Sequence, residues 1–191
     1  MDKINGFKYK SNYISLDEEK ILIENIDKLQ WDTRLKRRTQ HYGHLYKYKY
    51  IIYKFNENVP PVPEFLINLF KKIQTDGYAG DIQLDKLQVI INEYIPGQGI
   101  SPHIDDPIIF GEWIVCISLC DSIGMIFSKY NINNSILIEK NSIYEMKNDA
   151  RYKWKHSIPS VNTDIINNIN HIRKRRISIT FRYMKLSYDE M

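Results

Sequence analysis

Residues 87–105 read LQVIINEYIPGQGISPHID and combine a strand, a turn and a possible ligand pair. The β-prone first part places Asn92 and Tyr94 on one face, because side chains alternate along a strand. The PGQG segment then predicts a sharp turn, after which SPHID continues extended. In that segment His103 and Asp105 point to the same side, about 6 to 7 Å apart. The stretch therefore predicts a β-fold that carries half of a metal site, and the alternative is an exposed turn.

Short β-rich segments dominate the chain after Lys86. There are seven of them at close spacing, turn residues separate most of them, and no helical pattern lies between them. This arrangement is typical of an antiparallel sandwich or barrel rather than a parallel sheet. The segments are LQVIINEYI, EWIVCISLC, GMIFSKY, SILIE, SIYEM, YKWKHSI and RRISITFRYM. The polar stretch VNTDIINNIN, residues 161–170, is interpreted as a loop.

Two helices are predicted ahead of these strands. The first runs from Leu16 to about Leu29, because SLDE forms a capping box and apolar residues follow at helical spacing. The second lies in PPVPEFLINLFKKIQTDGY, where Pro63 suits the first turn and Gly77 suits the position after the end. The pattern predicts an α+β, mainly β, fold.

Length and composition fit one globular domain covering residues 1–191. Hydrophobic residues make up 43% and charged residues 26% of the chain, which favours a packed core over long disorder. Cys116 and Cys120 are expected to be reduced core residues on one face of a strand, and the alternative is a zinc pair.

The ends of the chain and its residue usage bear on its location. No apolar run reaches membrane-spanning length, and the start, MDKINGFKYK, lacks an apolar signal segment. We therefore expect an intracellular monomer, cytoplasmic or nuclear, without a membrane association. The abundance of Ile, Asn, Lys and Tyr with little Ala is typical of an AT-rich genome, such as that of a protist, a bacterium or a large virus.

The chain has a net charge of +4, and its basic residues cluster in residues 34–54. This segment contains seven Lys or Arg, five Tyr and no acidic residue. Lys and Arg neutralise phosphates, and aromatic rings stack on unpaired bases. The stretch favours single-stranded nucleic acid as partner, and the alternative is a tyrosine-rich hairpin with a charged outer face. The candidate phosphate contacts are Arg37 and Arg38, and the candidate stacking residues are Tyr42, Tyr46 and Tyr48.

His156, in YKWKHSIP, supplies a candidate third metal ligand. Two His and one carboxylate form a facial triad that binds Fe(II) and leaves coordination positions open. The competing candidates are His41, His44 and His171, which lie in basic or loop stretches with no carboxylate at close spacing. We expect these three to contact solvent or substrate.

The segment RISITFR, residues 176–182, alternates polar and apolar side chains. Arg176, Ser178, Thr180 and Arg182 share one strand face, and the apolar residues between them face the core. If both arginines reach inward, their guanidinium groups approach to about 6 to 8 Å, a gap that suits a small dicarboxylate. The alternative is a solvent-facing edge strand.

Together these motifs resemble the AlkB family of Fe(II)- and 2-oxoglutarate-dependent dioxygenases. The matching elements are Asn92-x-Tyr94-x-Pro96-Gly97, His103-x-Asp105, His156 and Arg176-x-Ser178-x-Thr180-Phe181-Arg182. The resemblance runs from about Arg37 to Arg182. RRTQHYG, INEYIPGQGISPHID and RISITFR look most similar to the branch that contains the oxygenase domain of the tRNA wobble-uridine hydroxylase.

The resemblance implies a double-stranded β-helix, or jelly roll, with the N-terminal helices packed on one sheet. It also implies three reaction partners, namely Fe(II), 2-oxoglutarate and dioxygen. The implied iron ligands, which are the catalytic residues, are His103, Asp105 and His156. The implied 2-oxoglutarate contacts are Arg176 and Tyr94 at the distal carboxylate, Arg182 and Asn92 at the end bound to iron, and Ser178, where another family member carries Asn.

The resemblance further implies a nucleotide-recognition lid within residues 34–54. Arg151 is expected to reach the substrate pocket or a backbone phosphate, and the alternative is a structural salt bridge. The implied activity is oxidation of a modified base in single-stranded DNA or RNA, most simply demethylation of an N-alkylated base. The alternatives are hydroxylation of a tRNA base or a protein side chain, or a nucleic-acid-binding module that has lost catalysis.

Overall fold

The computed structural model describes residues 4–43 and 59–185. Within these ranges the chain forms three α-helices, one short 3₁₀ helix and twelve strands. The helices are α1 (Leu16–Asp27), α2 (Glu64–Thr75) and α3 (Asn148–Tyr152), and the 3₁₀ helix is Leu84–Lys86. The strands are β1 (Phe7–Lys10), β2 (Thr39–Tyr42), β3 (Leu87–Tyr94), β4 (Ile100–His103), β5 (Phe110–Leu119), β6 (Ile123–Lys129), β7 (Ile132–Ile138), β8 (Ser142–Met146), β9 (Lys155–Ile158), β10 (Thr163–Ile166), β11 (Ile169–Ile172) and β12 (Arg176–Met184).

The strands form two antiparallel sheets and a separate hairpin. The larger sheet has the order β1-β8-β5-β12-β3-β2, the smaller has the order β4-β9-β6-β7, and β10 pairs with β11. Apolar side chains from both sheets, such as Ile114 and Met146 of the larger and Met125 and Phe127 of the smaller, pack in one buried cluster. This double-sheet arrangement confirms the predicted jelly roll.

The two long helices cover the outer face of the larger sheet. Ile26 of α1 and Phe70 of α2 are fully buried in the same cluster as Ile177, Ile179 and Phe181 of β12. The alternation predicted for residues 176–182 is therefore confirmed, because the apolar residues of β12 face the helices. The polar residues of β12 consequently face the space between the two sheets.

Local sequence signals set the helix ends. Ser15 caps α1 and forms a capping box with Glu18, and Pro63 stands at the N-cap of α2 with extended backbone. Gly77 follows α2 with φ +75°, a conformation that favours glycine. Both helices are confirmed within a few residues of their predicted ends.

The prediction of a loop for residues 161–170 was wrong. This region forms the β10–β11 hairpin, whose two-residue turn is Asn167-Asn168 with φ +52° and +63°. Asparagine tolerates this left-handed conformation, so Asn-Asn acts as a hairpin turn. A buried ion pair between Arg173 and Asp164 joins the two strands at the base of the hairpin, and Asp164 also accepts the backbone N–H of Gly124 in β6 at 2.9 Å, which attaches the hairpin to the smaller sheet.

The predicted shared face of the two cysteines was also wrong. Cys116 lies within β5 and packs in the cluster between the two sheets, whereas Cys120 packs against the helix-covered cluster. Cys120 follows the end of β5 and has φ +72°, so strand alternation no longer applies to it. Both are free thiols, as expected.

Candidate active site

The structure brings His103, Asp105 and His156 together. His103 ends β4 and lies directly across from His156 of β9 in the strand register, with ring centroids 4.3 Å apart. Asp105 follows β4, and its Oδ2 lies 3.5 Å from Nε2 of His156. One ligand atom from each of the three residues lies within 4.8 Å of the others. A single metal ion can therefore contact all three.

The glycines of PGQG allow β4 to run close to β9. Gly97 has φ +82°. A Cβ atom on Gly99 would lie 2.2 Å from the backbone oxygen of Ile158, so any other residue there would push the two strands apart. This close approach is what sets His103 beside His156.

The charges of His156 and Asp105 and the hydrogen bond of His103 suit metal binding. Burial lowers the pKa of His156 to about 4, so its imidazole is neutral at neutral pH. Burial alone would raise the pKa of Asp105, but the positive charge of Arg182 and the nearby histidines bring it to about 2, so the carboxylate is ionised. Nδ1 of His103 lies 2.8 Å from the carbonyl oxygen of Ser101, to which it must donate, and this leaves Nε2 free. Two imidazole nitrogens and one ionised carboxylate fit Fe(II).

Arg182 is held against the aspartate of this triad. Its Nη1 donates to Oδ1 of Asp105, and its Nε donates to Oε1 of Gln88 at 2.8 Å. Arg182 thus fixes the orientation of a metal ligand. Its predicted contact with 2-oxoglutarate stays a prediction, as does the predicted spacing between the two guanidinium groups.

Arg176 carries an unused hydrogen-bond donor toward the triad cavity. Its side chain is 2% exposed, its Nε donates to Oγ of Ser118 at 3.0 Å, and it lies over the ring of Tyr94 at 5.5 Å. Its Nη2 is buried and has no hydrogen-bond partner within the described residues. A buried donor without an acceptor is costly, so this group fits the carboxylate of a bound dicarboxylate.

Two connected cavities open onto the triad. The inner cavity, of about 60 Å³, contains all of the predicted 2-oxoglutarate contacts among its lining residues, namely Asn92, Tyr94, Arg176, Ser178 and Arg182. The outer pocket, of about 430 Å³, is more open. The two share five lining residues, which are Arg37, Ile100, His103, Asp105 and Arg182. The arrangement offers an inner space for a cosubstrate and an outer space for a substrate.

The basic stretch contributes Arg37 and Arg38 in different ways. Nε of Arg37 donates to Oδ1 of Asn92 at 2.9 Å, and the side chain lines both cavities. Arg38 pairs with Glu93 and stacks on the ring of Trp31 at 4.5 Å. Arg37 therefore lies at the site itself, and contact of either arginine with phosphate stays a prediction.

The stacking role predicted for Tyr42 was wrong. Its ring is 5% exposed and packs in the core beneath the helices, and its hydroxyl donates to Gln40 at 3.0 Å. A base cannot stack on a ring that is buried in this way. Tyr46, Tyr48 and His44, and most of the proposed lid, lie outside the described residues.

Two of the competing histidines have structural partners. His41 is half-buried, desolvation of its ring lowers its pKa to about 4, and its Nε2 lies 3.1 Å from Oγ1 of Thr39. His171 pairs with Asp121, a carboxylate distant in sequence. Sequence spacing could not reveal that partner, because strand pairing brings it near.

The roles considered for Arg151 from the sequence were wrong. The side chain is 2% exposed and donates to four backbone carbonyls rather than facing a substrate or a carboxylate. These belong to Asp105 at 2.7 Å, Asp106 at 3.0 Å, Gly111 at 3.2 Å and Phe110 at 3.4 Å. Arg151 therefore holds the backbone that carries the aspartate ligand.

We expect Arg151→Lys to weaken metal binding, because one ammonium group cannot reach four carbonyls spread around a planar guanidinium. The affinity for Mn(II), measured by calorimetry, should fall by about 10-fold, as for other outer partners of metal ligands. Glu19→Gln is the control, since buried Glu19 accepts hydrogen bonds from Cys120 and Asn141 in another part of the fold. A loss of thermal stability with native metal affinity in Arg151→Lys would contradict the assigned role.

A jelly roll that directs two histidines, an ionised carboxylate and a buried arginine into one cavity has the architecture of Fe(II)- and 2-oxoglutarate-dependent oxygenases. Comparison with known families agrees: the model of the 2OG-Fe(II) oxygenase superfamily matches residues 11–182. The chain belongs to this superfamily, and AlkB family proteins are among its homologues.

Two relatives and one solved structure illustrate this. The chain is 34% identical over 197 residues to uncharacterized protein L905 of Acanthamoeba polyphaga mimivirus, covering 98% of this chain and 90% of that protein. It is 26% identical over 206 residues to the alkylated DNA repair protein ALKBH8 homolog of Arabidopsis thaliana, covering 95% of this chain and 59% of that longer protein. The structure of OsALKBH1 superimposes with a TM-score of 0.67 at 16% identity, covering 93% and 97% of the two chains, and it supports the fold.

The viral relative is consistent with the expectation that a virus encodes this protein. Among the residues that the structure describes, none of the helices has the length and apolar character needed to cross a membrane.

Sequence reasoning missed three residues of the site, which are Gln88, Ser118 and Tyr144. Gln88 could have been found, because it lies four residues before Asn92 on the same strand and thus on the same face. Ser118 and Tyr144 depend on which strands pair with β12, and no local signal reports that.

Proposed function

We propose that this oxygenase oxidises a modified base in single-stranded DNA or RNA, most simply by removing a methyl group from an alkylated ring nitrogen. The observation that carries the proposal is the outer pocket, which reaches His103 and Asp105 directly. Its volume of about 430 Å³ lies in the range of small-molecule sites. Apolar Leu35 and Phe110 with cationic Arg37 line it, a mixture that suits a flat polar ring joined to a phosphate.

In this proposal, different residues of the inner cavity bind the two ends of 2-oxoglutarate. Arg176 and Tyr94 bind the distal carboxylate of 2-oxoglutarate, and Asn92, oriented by Arg37, contacts the end near the metal together with Ser178. When bound, iron with 2-oxoglutarate and dioxygen supplies the oxidation of a substrate C–H bond, and 2-oxoglutarate leaves as succinate and carbon dioxide. Arg182 keeps the ligand Asp105 ionised and oriented.

Apolar side chains keep water away from the reacting centre. Met125, Ile114, Ile100 and Ile158 line the inner cavity around the triad. A water-poor site strengthens the electrostatic contacts of Arg176 and limits side reactions. The substrate base closes the remaining opening through the outer pocket.

Relatives support nucleic acid as the substrate class, since the Arabidopsis relative is described as an alkylated DNA repair protein. Residues 34–54, rich in Lys, Arg and Tyr, would act as the nucleotide-recognition lid. The protein would then work as a monomer where nucleic acid is found, in the cytoplasm or nucleus. Hydroxylation of a tRNA base is the second candidate, favoured by the resemblance to the wobble-uridine branch.

The test is mass spectrometry of modified oligonucleotides after incubation with Fe(II), 2-oxoglutarate and ascorbate. The substrates are single-stranded and duplex DNA and RNA with 1-methyladenine or 3-methylcytosine, and a tRNA anticodon stem-loop. A loss of about 14 Da marks demethylation, and a gain of about 16 Da marks a stable alcohol. His103→Ala is the control and should give neither change.

The same assay distinguishes the remaining alternatives. A gain restricted to the anticodon stem-loop would replace the first proposal with tRNA hydroxylation. No change in any nucleic acid, with 2-oxoglutarate still consumed on a protein extract, would contradict a nucleic-acid substrate. If the native chain binds neither iron nor 2-oxoglutarate, it is a nucleic-acid-binding module without catalysis.

A further inference from the structure

Tyr144 lies in a row of side chains that crosses the floor of the inner cavity. On β8 it stands directly opposite Cys116 of β5, which in turn stands opposite Thr180 of β12. Directly opposed residues in antiparallel strands point to the same face. Tyr144 therefore shares the cavity face with Arg176, and both line the inner cavity.

Among the residues that the structure describes, the hydrogen-bond partner of the Tyr144 phenol is a weak one. Its side chain is 5% exposed, and its ring packs 5.9 Å from that of Phe7. Burial raises its pKa well above the usual value, and the hydroxyl interacts with the thiol of Cys116. A thiol accepts hydrogen bonds poorly, so the phenol keeps its proton and has most of its donor strength to spare.

The guanidinium of Arg176 lies near the row that contains Tyr144. Its Nε donates to Oγ of Ser118, which is the next cavity-facing residue after Cys116 along β5. Its positive charge acts on the phenol of Tyr144, and its buried Nη2 has no acceptor in the described part of the chain. Two buried donors thus border one end of a cavity, and a carboxylate, which only accepts, matches both.

We propose that Tyr144 determines cosubstrate specificity: its phenol donates a hydrogen bond to the distal carboxylate, and its ring closes that end of the cavity. Tyr144 and Arg176 both line the inner cavity, so a distal carboxylate that meets both donors sets the length of chain that fits between them and the metal. The site accepts the five-carbon 2-oxoglutarate and rejects 2-oxo diacids with a longer chain, because the ring of Tyr144 stands where the extra carbon would extend. This inference concerns the cosubstrate alone and does not depend on the nature of the oxidised substrate.

The first arm of the test removes the hydroxyl. Calorimetry with the Mn(II)-loaded protein should show that Tyr144→Phe binds 2-oxoglutarate about 10-fold more weakly, the effect of one hydrogen bond to a charged group. Its Mn(II) affinity should equal that of the native protein. Tyr9→Phe is the matched control, because Tyr9 stands directly opposite Tyr144 but its hydroxyl donates to Glu139 at 2.9 Å in an exposed position.

The second arm measures chain-length selection. The native protein should bind 2-oxoadipate at least about 10-fold more weakly than 2-oxoglutarate, since one methylene in a closed pocket has about this effect. Tyr144→Val removes the ring that closes the cavity, so the affinities for 2-oxoglutarate and 2-oxoadipate should become more similar. Native affinity for 2-oxoglutarate in Tyr144→Phe, or equal affinity of the native protein for both diacids, would overturn the proposal. If the Tyr144 variants fail to fold, the ratio of the native protein's affinities for 2-oxoglutarate and 2-oxoadipate remains as a test that can contradict the proposal.

Discussion

Replacing Asp105 with alanine is expected to abolish iron binding and oxidation together. Asp105 is the anionic member of the triad and lies within 4.8 Å of both histidine ligand atoms. Its loss should lower metal affinity by more than the roughly 10- to 100-fold that follows loss of an outer partner of a ligand. Calorimetric Mn(II) titration and succinate release measure the two effects.

The same change should also lower the free energy of unfolding. Arg182, whose Nη1 donates to Asp105, would keep a buried positive charge whose remaining contacts in the described part of the chain, Gln88 and the ring of Phe110, carry no negative charge. Breaking a buried ion pair on one side costs about 3 to 5 kcal/mol. The double variant Asp105→Ala/Arg182→Met removes the unpaired charge, so it should recover much of the stability and none of the metal binding.

Asp106→Asn is the matched control for Asp105→Ala. Asp106 is the adjacent carboxylate, and its Oδ1 accepts the backbone N–H groups of Ile108 and Ile109, a role that an amide oxygen can keep. Its metal affinity should remain native. Native Mn(II) affinity in Asp105→Ala would contradict the assigned triad, whereas loss in both variants would indicate a general disruption of the loop.

Arg176→Lys is expected to give the second large effect, on 2-oxoglutarate. Lysine keeps the positive charge but cannot donate to Ser118 and a carboxylate in the fixed planar geometry of a guanidinium. Loss of one charge-assisted hydrogen bond, about 1.5 to 3 kcal/mol, corresponds to a fall in affinity of about 10- to 150-fold. Calorimetry on the Mn(II)-loaded protein measures it directly, and Mn(II) affinity itself should not change.

The neighbouring residue provides the control for Arg176. Arg175 pairs with Asp27 and Glu93 on the opposite side of the strand, so Arg175→Lys alters an equally basic position outside the cavity. Its affinity for 2-oxoglutarate should stay native. Equal affinities for Arg175→Lys and Arg176→Lys would contradict the assignment of Arg176 to the cosubstrate.

The sequence by itself determined seven of the strands in the described part of the chain and the inner part of the site. Alternation is a local property of the chain, so RISITFR and NEYI revealed which side chains face the cavity without knowledge of their neighbours. The same holds for His103 and Asp105, two residues apart on one extended segment. His156 could be added from its residue type and from the resemblance, and the structure places all three together.

Only the tertiary structure decided the roles that depend on burial and on partners distant in sequence. Tyr42 and Arg151 look like surface residues in a basic or polar context, yet the packing of α2 on the sheet and the loop after Asp105 bury them. Tyr144 enters the cavity because β8 pairs with β5 in the register that sets it opposite Cys116. Strand pairing is a long-range choice made by the free energy of the whole core, and a slip of one residue would turn Tyr144 to the other face. No local window of the sequence contains that information.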